Sequence, residues 1–174
     1  MRSIRLRTVP TLPRILLAVF WGAVCTGILA APWLQAHGNS RAAALLYLIF
    51  SPVCHQDPTR SFALFGHACA VCHRCTGIYF GLFFVSLIPG KPAAMIVEPH
   101  RRRSWIACAT VPMLLDVFLP FASLWTSTPV SRVLTGGLFG AMLASLLMPA
   151  LEEVLKENSR ARGRFYGHPR GGLI

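Results

Sequence analysis

The sequence predicts an all-α integral membrane protein: four transmembrane helices, a short re-entrant or interfacial helix, and a Cys/His-rich cap on the outer side. Three observations carry this. Hydrophobic residues make up 54% of the 174, and only 13% are charged, which is more apolar surface than a soluble domain of this size buries. Apolar runs long enough to cross a bilayer recur along the chain. The arginines and lysines gather on alternate connections, so one orientation places nearly all of them on the same side.

Residues 1–14 form a basic tail with Arg2, Arg5, Arg7 and Arg14, where Pro10 and Pro13 oppose a continuous helix. Ile15 to Leu34 is the first span. A signal peptide shares its basic start, apolar stretch and small residues at Ala30-Ala31, but the run exceeds a usual signal core, which favours a retained helix. Ala42 to Val53 is apolar yet rises only ~18 Å against a hydrocarbon core of ~30 Å. It reads as a half-buried or re-entrant helix stopped at Ser51-Pro52. The connection over 54–71 holds a second apolar patch, Phe62 to Val71, interrupted by Gly66 and His67.

Cys72 to Ile88 is the second span, ended by Pro89-Gly90. Trp105 to Trp125 is the third, with a tryptophan at each end as an interfacial anchor, and Ser131 to Leu151 is the fourth. Small residues repeat at four-residue spacing at Ala18, Gly22 and Thr26, at Gly77 and Gly81, and at Gly136, Gly140 and Ala144. That spacing lets helix backbones approach closely. The membrane domain therefore covers 15–151, its outer Cys/His loop 35–75, and residues 152–174 form a second basic tail.

With the amino terminus inside, segments 1–14, 90–104 and 152–174 hold all of the 17 basic residues except Arg41, Arg60, Arg74 and Arg132. Both termini are then cytoplasmic in a multi-pass protein of the cell membrane. The same bias explains the net charge of +11 without nucleic acid as a partner.

Chemistry concentrates in two blocks that face the outer side. They are Cys54-His55-Gln56-Asp57-Pro58-Thr59-Arg60-Ser61-Phe62 and Cys72-His73-Arg74-Cys75-Thr76-Gly77-Ile78-Tyr79-Phe80-Gly81. Cys25 and Cys108 sit in apolar segments as small hydrophobes, and spacing assigns Cys69 no role. In an oxidising compartment, free thiols persist when a metal or burial protects them. Cys54, Cys72 and Cys75 with His55 or His67 make a Cys3His set that suits zinc. The same Cys72–Cys75 pair can instead cycle as a redox disulfide with Cys54 as exchange partner, or merely pin the outer loop.

Asp116, within the third span, must be paired or hydrated. It reads either as half of a structural ion pair with Arg132 or as a candidate catalytic base. Tyr79, one turn from Cys75, is a second candidate catalytic group or an interfacial tyrosine. Arg60, Arg74 and Arg132 suit an anionic group such as a lipid phosphate, or else snorkel at the membrane edge.

The run Cys-His-Gln-x-Pro-x-Arg-Ser-Phe, followed by Val-Cys-x-Arg-Cys-Thr-Gly-Ile-Tyr-x-Gly, resembles the signature of a family of small prokaryotic predicted membrane proteins catalogued as a domain of unknown function. Asp116 and the Arg132-Val133-Leu134-Thr135-Gly136 stretch are similar to that family's pattern, and the resemblance covers roughly residues 45 to 145. Cys69-Ala70 stands where the family has Leu-Pro, and Val117 where it has glycine. The resemblance implies a membrane protein with a shared polar site. The function expected is a zinc site at the extracytoplasmic face acting on a lipid-borne or other anionic group. The alternatives are a thiol–disulfide or quinone-linked redox protein and a non-enzymatic scaffold stapled by zinc or a disulfide.

Overall fold

A computed structural model of the protein describes residues 11–88 and 99–166. Residues 1–10 of the first tail, 167–174 of the second, the Pro89-Gly90 stop and Lys91 lie outside these. The order is α1 (Thr11–Ala36), α2 (Ser40–Phe50), a single 3-10 turn (Pro58–Arg60), β1 (Ser61–Leu64), β2 (His67–Cys72), α3 (His73–Leu87), α4 (Pro99–Phe118) and α5 (Pro129–Tyr166). The fold is therefore mostly helical rather than all-α, because part of the connection between α2 and α3 forms a two-stranded antiparallel sheet.

That hairpin arises from local chemistry. Leu64 pairs with His67, leaving Phe65 and Gly66 as a two-residue turn. Both carry positive φ, 54° and 79°, as hairpin turns that match strand twist require. The inner strand, β2, then buries Cys69, Ala70 and Val71 against Ile28 and Ala31 of α1 and Phe50 of α2. Burial of α1 in this cluster makes it part of the packed body.

The helices α1 over Pro13–Ala36 and α5 over Pro129–Leu155 are long and apolar enough to cross a membrane, with mean hydropathies of 2.1 and 1.7. Helix α3 has 15 residues and rises about 22 Å. The expected short helix after the first span is α2, 11 residues capped by Asn39, whose side chain accepts from the Ala42 amide. Helix α4 ends at Phe118, seven residues before the expected stop at Trp125. Pro120 explains this, since the residue before a proline disfavours helical backbone. Asp116 consequently sits in the last turn of α4.

Helices α3 and α5 are pressed backbone to backbone. A Cβ added at Gly77, Gly81, Gly136 or Gly140 would come closer than 3.0 Å to a main-chain carbonyl oxygen of the facing helix: Val133, Gly137, Arg74 and Ile78, respectively. The repeated small residues thus act as the contact face that their spacing predicts. Gly77→Val should part the two helices and cost at least about 2 kcal/mol, read as a lower unfolding temperature in detergent. An unchanged temperature contradicts the clasp.

Candidate metal centre and its pocket

Three elements bring the cysteines together. Cys54 follows α2, its amide bonded to the Phe50 carbonyl at 3.0 Å. The loop beyond it is fixed by Gln56, in a left-handed conformation with φ 54°, whose amide nitrogen donates to the Tyr47 carbonyl at 2.6 Å. Asp57 then caps the 3-10 turn by accepting from the Thr59 amide and hydroxyl at 2.9 and 2.7 Å. These bonds hold its carboxyl below the usual aspartate range. The stability they add is present above the ordinary aspartate pKa and is lost as pH falls through the lowered one.

Cys72 is the N-cap residue of α3, and Cys75 lies in its first turn. The Cys72 amide donates to Cys54 Sγ at 3.2 Å. The ligand atoms of Cys54, Cys72 and Cys75 all lie within 4.8 Å of one another. Sulfurs around one tetrahedral zinc, at ~2.3 Å each, stand about 3.8 Å apart, so the set fits a metal after a small contraction. The first turn of α3 carries no acidic residue, and its unpaired amides and dipole favour thiolate at that end.

The cysteines open onto a cavity of about 750 Å³, whose walls include His55, Arg60, Arg74, Asp116 and Arg132. His67 is not brought to them. It begins β2 while Cys72 ends it, roughly 16 Å along a strand, and it lines a separate cavity with Tyr47 and Cys69. Burial pushes the Cys69 thiol up, as suits an inert core residue. Tyr79 packs behind the cysteines, its ring 6.0 Å from Trp21 and 6.3 Å from Phe50, and is not among the pocket-lining residues.

Asp116 shares that pocket, and its ionic partner is Arg74 rather than Arg132. Arg74 Nη2 reaches Oδ2 at 2.5 Å and also donates to the Asp116 carbonyl at 3.2 Å. Ser127 and Ser131 donate their hydroxyls to Oδ1 at 2.9 and 2.7 Å. Arg132 joins at one remove, its Nε donating to Ser127 Oγ at 2.9 Å. Arg60 pairs with Asp57 at 3.4 Å and is largely exposed.

Ser127 and Ser131 are pocket-side partners of Asp116 that the sequence alone did not single out. Their signal was the Thr128-Pro129-Val130-Ser131 start of α5. There Thr128 Oγ1 accepts from the Ser131 amide at 3.1 Å and Ser131 Oγ accepts from the Thr128 amide at 3.0 Å, a reciprocal cap with proline at the first helical position.

The chain resembles known proteins over most of its described length. An uncharacterised protein of Methanocaldococcus jannaschii is 32% identical over 112 residues, covering 63% of this chain and 70% of the relative. One from Methanothermobacter thermautotrophicus is 36% identical over 111 residues, covering 62% of this chain and 90% of the relative. No solved structure matches. The model of the DUF2085 family, described as a predicted membrane protein, matches residues 54–146. That match begins at Cys54 and takes in Cys72, Arg74, Cys75, Asp116 and Arg132, and by it the chain belongs to the DUF2085 family of predicted membrane proteins.

Proposed function

We propose that the protein is a four-span membrane protein of the cell membrane, with both termini cytoplasmic and a zinc centre on Cys54, Cys72 and Cys75 at the extracytoplasmic face. The observation that carries this reading is the convergence of three sulfurs, from two distant stretches of chain, within 4.8 Å of one another. A dithiol needs two sulfurs, whereas a closed tetrahedral site needs three or four. His55, adjacent to Cys54 and on the pocket wall, lies outside the three-sulfur cluster and is the residue proposed to swing in as fourth ligand. The arginine bias supports the orientation, and burial of Ile28 and Ala31 in the core supports a retained α1.

A zinc ion held by Cys54, Cys72, Cys75 and His55 would be four-coordinate and closed, and would tie the cap to the start of α3. This chain's own residues hold what enters: Arg132, fixed by Ser127, presents positive charge opposite the cysteines. The pocket's occupant on this reading is an anionic, lipid-borne group.

A second reading has its own support. A C-x-x-C pair with its first cysteine at a helix N-cap is also the arrangement that lowers a thiol's pKa for disulfide exchange. Metal analysis with thiol titration on the purified, unreduced chain separates the two. One equivalent of zinc, with three thiols released by chelator, is the expected result. Metal-free protein lacking two titratable thiols overturns the metal reading and favours a disulfide at Cys72 and Cys75.

A further inference from the structure

The three arginines on the pocket wall are not equivalent, and their pairing leaves one of them for a ligand. Arg74 is neutralised by Asp116 and Arg60 by Asp57. Arg132 has no carboxylate within ion-pair distance among the described residues. Its Nε is spent on Ser127, which passes its own hydroxyl proton toward Asp116. No described residue accepts from the two terminal nitrogens of Arg132. The result is a guanidinium held from behind, its free fork lining a cavity of about 750 Å³. That volume lies within the ordinary range of ligand pockets.

The rim of the same cavity is apolar. Val53, Val117, Pro120 and Phe121 line it, and Phe121 is 83% exposed and Val53 59%. Exposed apolar side chains beside a fixed cation, at the outer end of a membrane bundle, suit a ligand with a charged head and a hydrocarbon body.

We infer that this pocket binds a lipid bearing a single negative charge, its phosphodiester head group on Arg132 and its apolar part against Val53 and Phe121. Arg132 is the pocket arginine that no carboxylate pairs with among the described residues, so its guanidinium is the one free to take a phosphodiester. A dianion would leave surplus negative charge beside Asp57 and Asp116. A planar guanidinium fork also matches two phosphate oxygens better than an ammonium does. The inference rests on the membrane placement proposed above and names the class of molecule that the site takes.

The test is native mass spectrometry of the full chain in detergent with phosphatidylglycerol or phosphatidylcholine added, metal content being measured on the same samples. The expected result is retention of one phosphatidylglycerol, at least tenfold preferred over phosphatidylcholine. Arg132→Gln should weaken that retention at least tenfold while leaving the metal in place, and Arg132→Lys should recover only part of it. Should Arg132→Gln fail to fold, Phe121→Gln, at an exposed position, should still lower retention severalfold.

Equal retention of the two lipids, or retention indifferent to both substitutions, overturns the inference. So does displacement of the lipid by the soluble head group glycerophosphoglycerol at equal concentration, which would make the ligand a soluble anion. Selective lipid binding by metal-free protein refutes the zinc reading and leaves this one standing. A zinc-loaded protein that ignores phosphatidylglycerol does the reverse.

Discussion

Cys54→Ser, Cys72→Ser and Cys75→Ser should each reduce bound zinc from one equivalent to near zero, with similar losses of stability on the order of 3 kcal/mol or more. Metal binding to such a site is coupled to folding, and a closed tetrahedron fails as a unit. The structure sharpens this expectation, because Cys54 lies beneath the Cys72 amide and is only 7% exposed, so its loss removes a ligand and loosens the cap together. His55→Ala, which removes the proposed fourth ligand, should likewise strip most of the metal, whereas His67→Ala, in the other cavity, should leave metal content unchanged. Elemental analysis and unfolding in detergent micelles read both quantities. If Cys54→Ser proves harmless while Cys72→Ser and Cys75→Ser behave alike, the dithiol reading replaces the metal one.

The second large effect is expected at Asp116. Its side chain is 4% exposed and that of Arg74 23%. Asp116→Leu strands a guanidinium in a largely enclosed place and leaves the hydroxyls of Ser127 and Ser131 without their acceptor. Breaking such a pair from one side costs about 3–5 kcal/mol. Adding Arg74→Leu should return at least half of that loss, because no orphan charge remains. Adding Arg132→Leu should return little, since Arg132 meets Asp116 only through Ser127. Unfolding free energies of the two double variants decide it. Rescue by Arg132→Leu and not by Arg74→Leu would contradict the pairing.

Why the sequence disclosed one of these sites better than the other has a physical basis. Cysteine chemistry is written in local spacing: C-x-x-C at a helix start and a Cys-His step after a helix stop make three of the sulfurs legible in the sequence. His67 looked equivalent to His55 by proximity in sequence, but a strand separates its ends faster than a helix does, and it went elsewhere. The Arg74–Asp116 pair joins residues 42 apart, and which arginine meets the carboxylate depends on the rotation of α3 about its axis. Distance from the outer end of the bundle, the only guide in the sequence, pointed to Arg132.

The hairpin was hidden because Phe62 to Val71 lacks strict alternation. Its bulge between Ser61 and Ala63 breaks the period-two pattern by which strands are recognised. Pro120 was a legible stop for α4, overridden by the symmetry of Trp105 and Trp125.

The clasp between α3 and α5 has a genetic consequence. A side chain introduced at Gly77, Gly81, Gly136 or Gly140 collides with peptide carbonyls, which every amino acid carries. Trimming a side chain on the opposite helix cannot relieve it, so suppressors of such lesions should be true revertants. Gly22 differs, because a Cβ there meets the ring of Phe83 at 3.0 Å, and a smaller residue at 83 could make room. The four glycines therefore define positions where the history of the chain admits no compensating exchange, while the pair 22 and 83 is free to drift together.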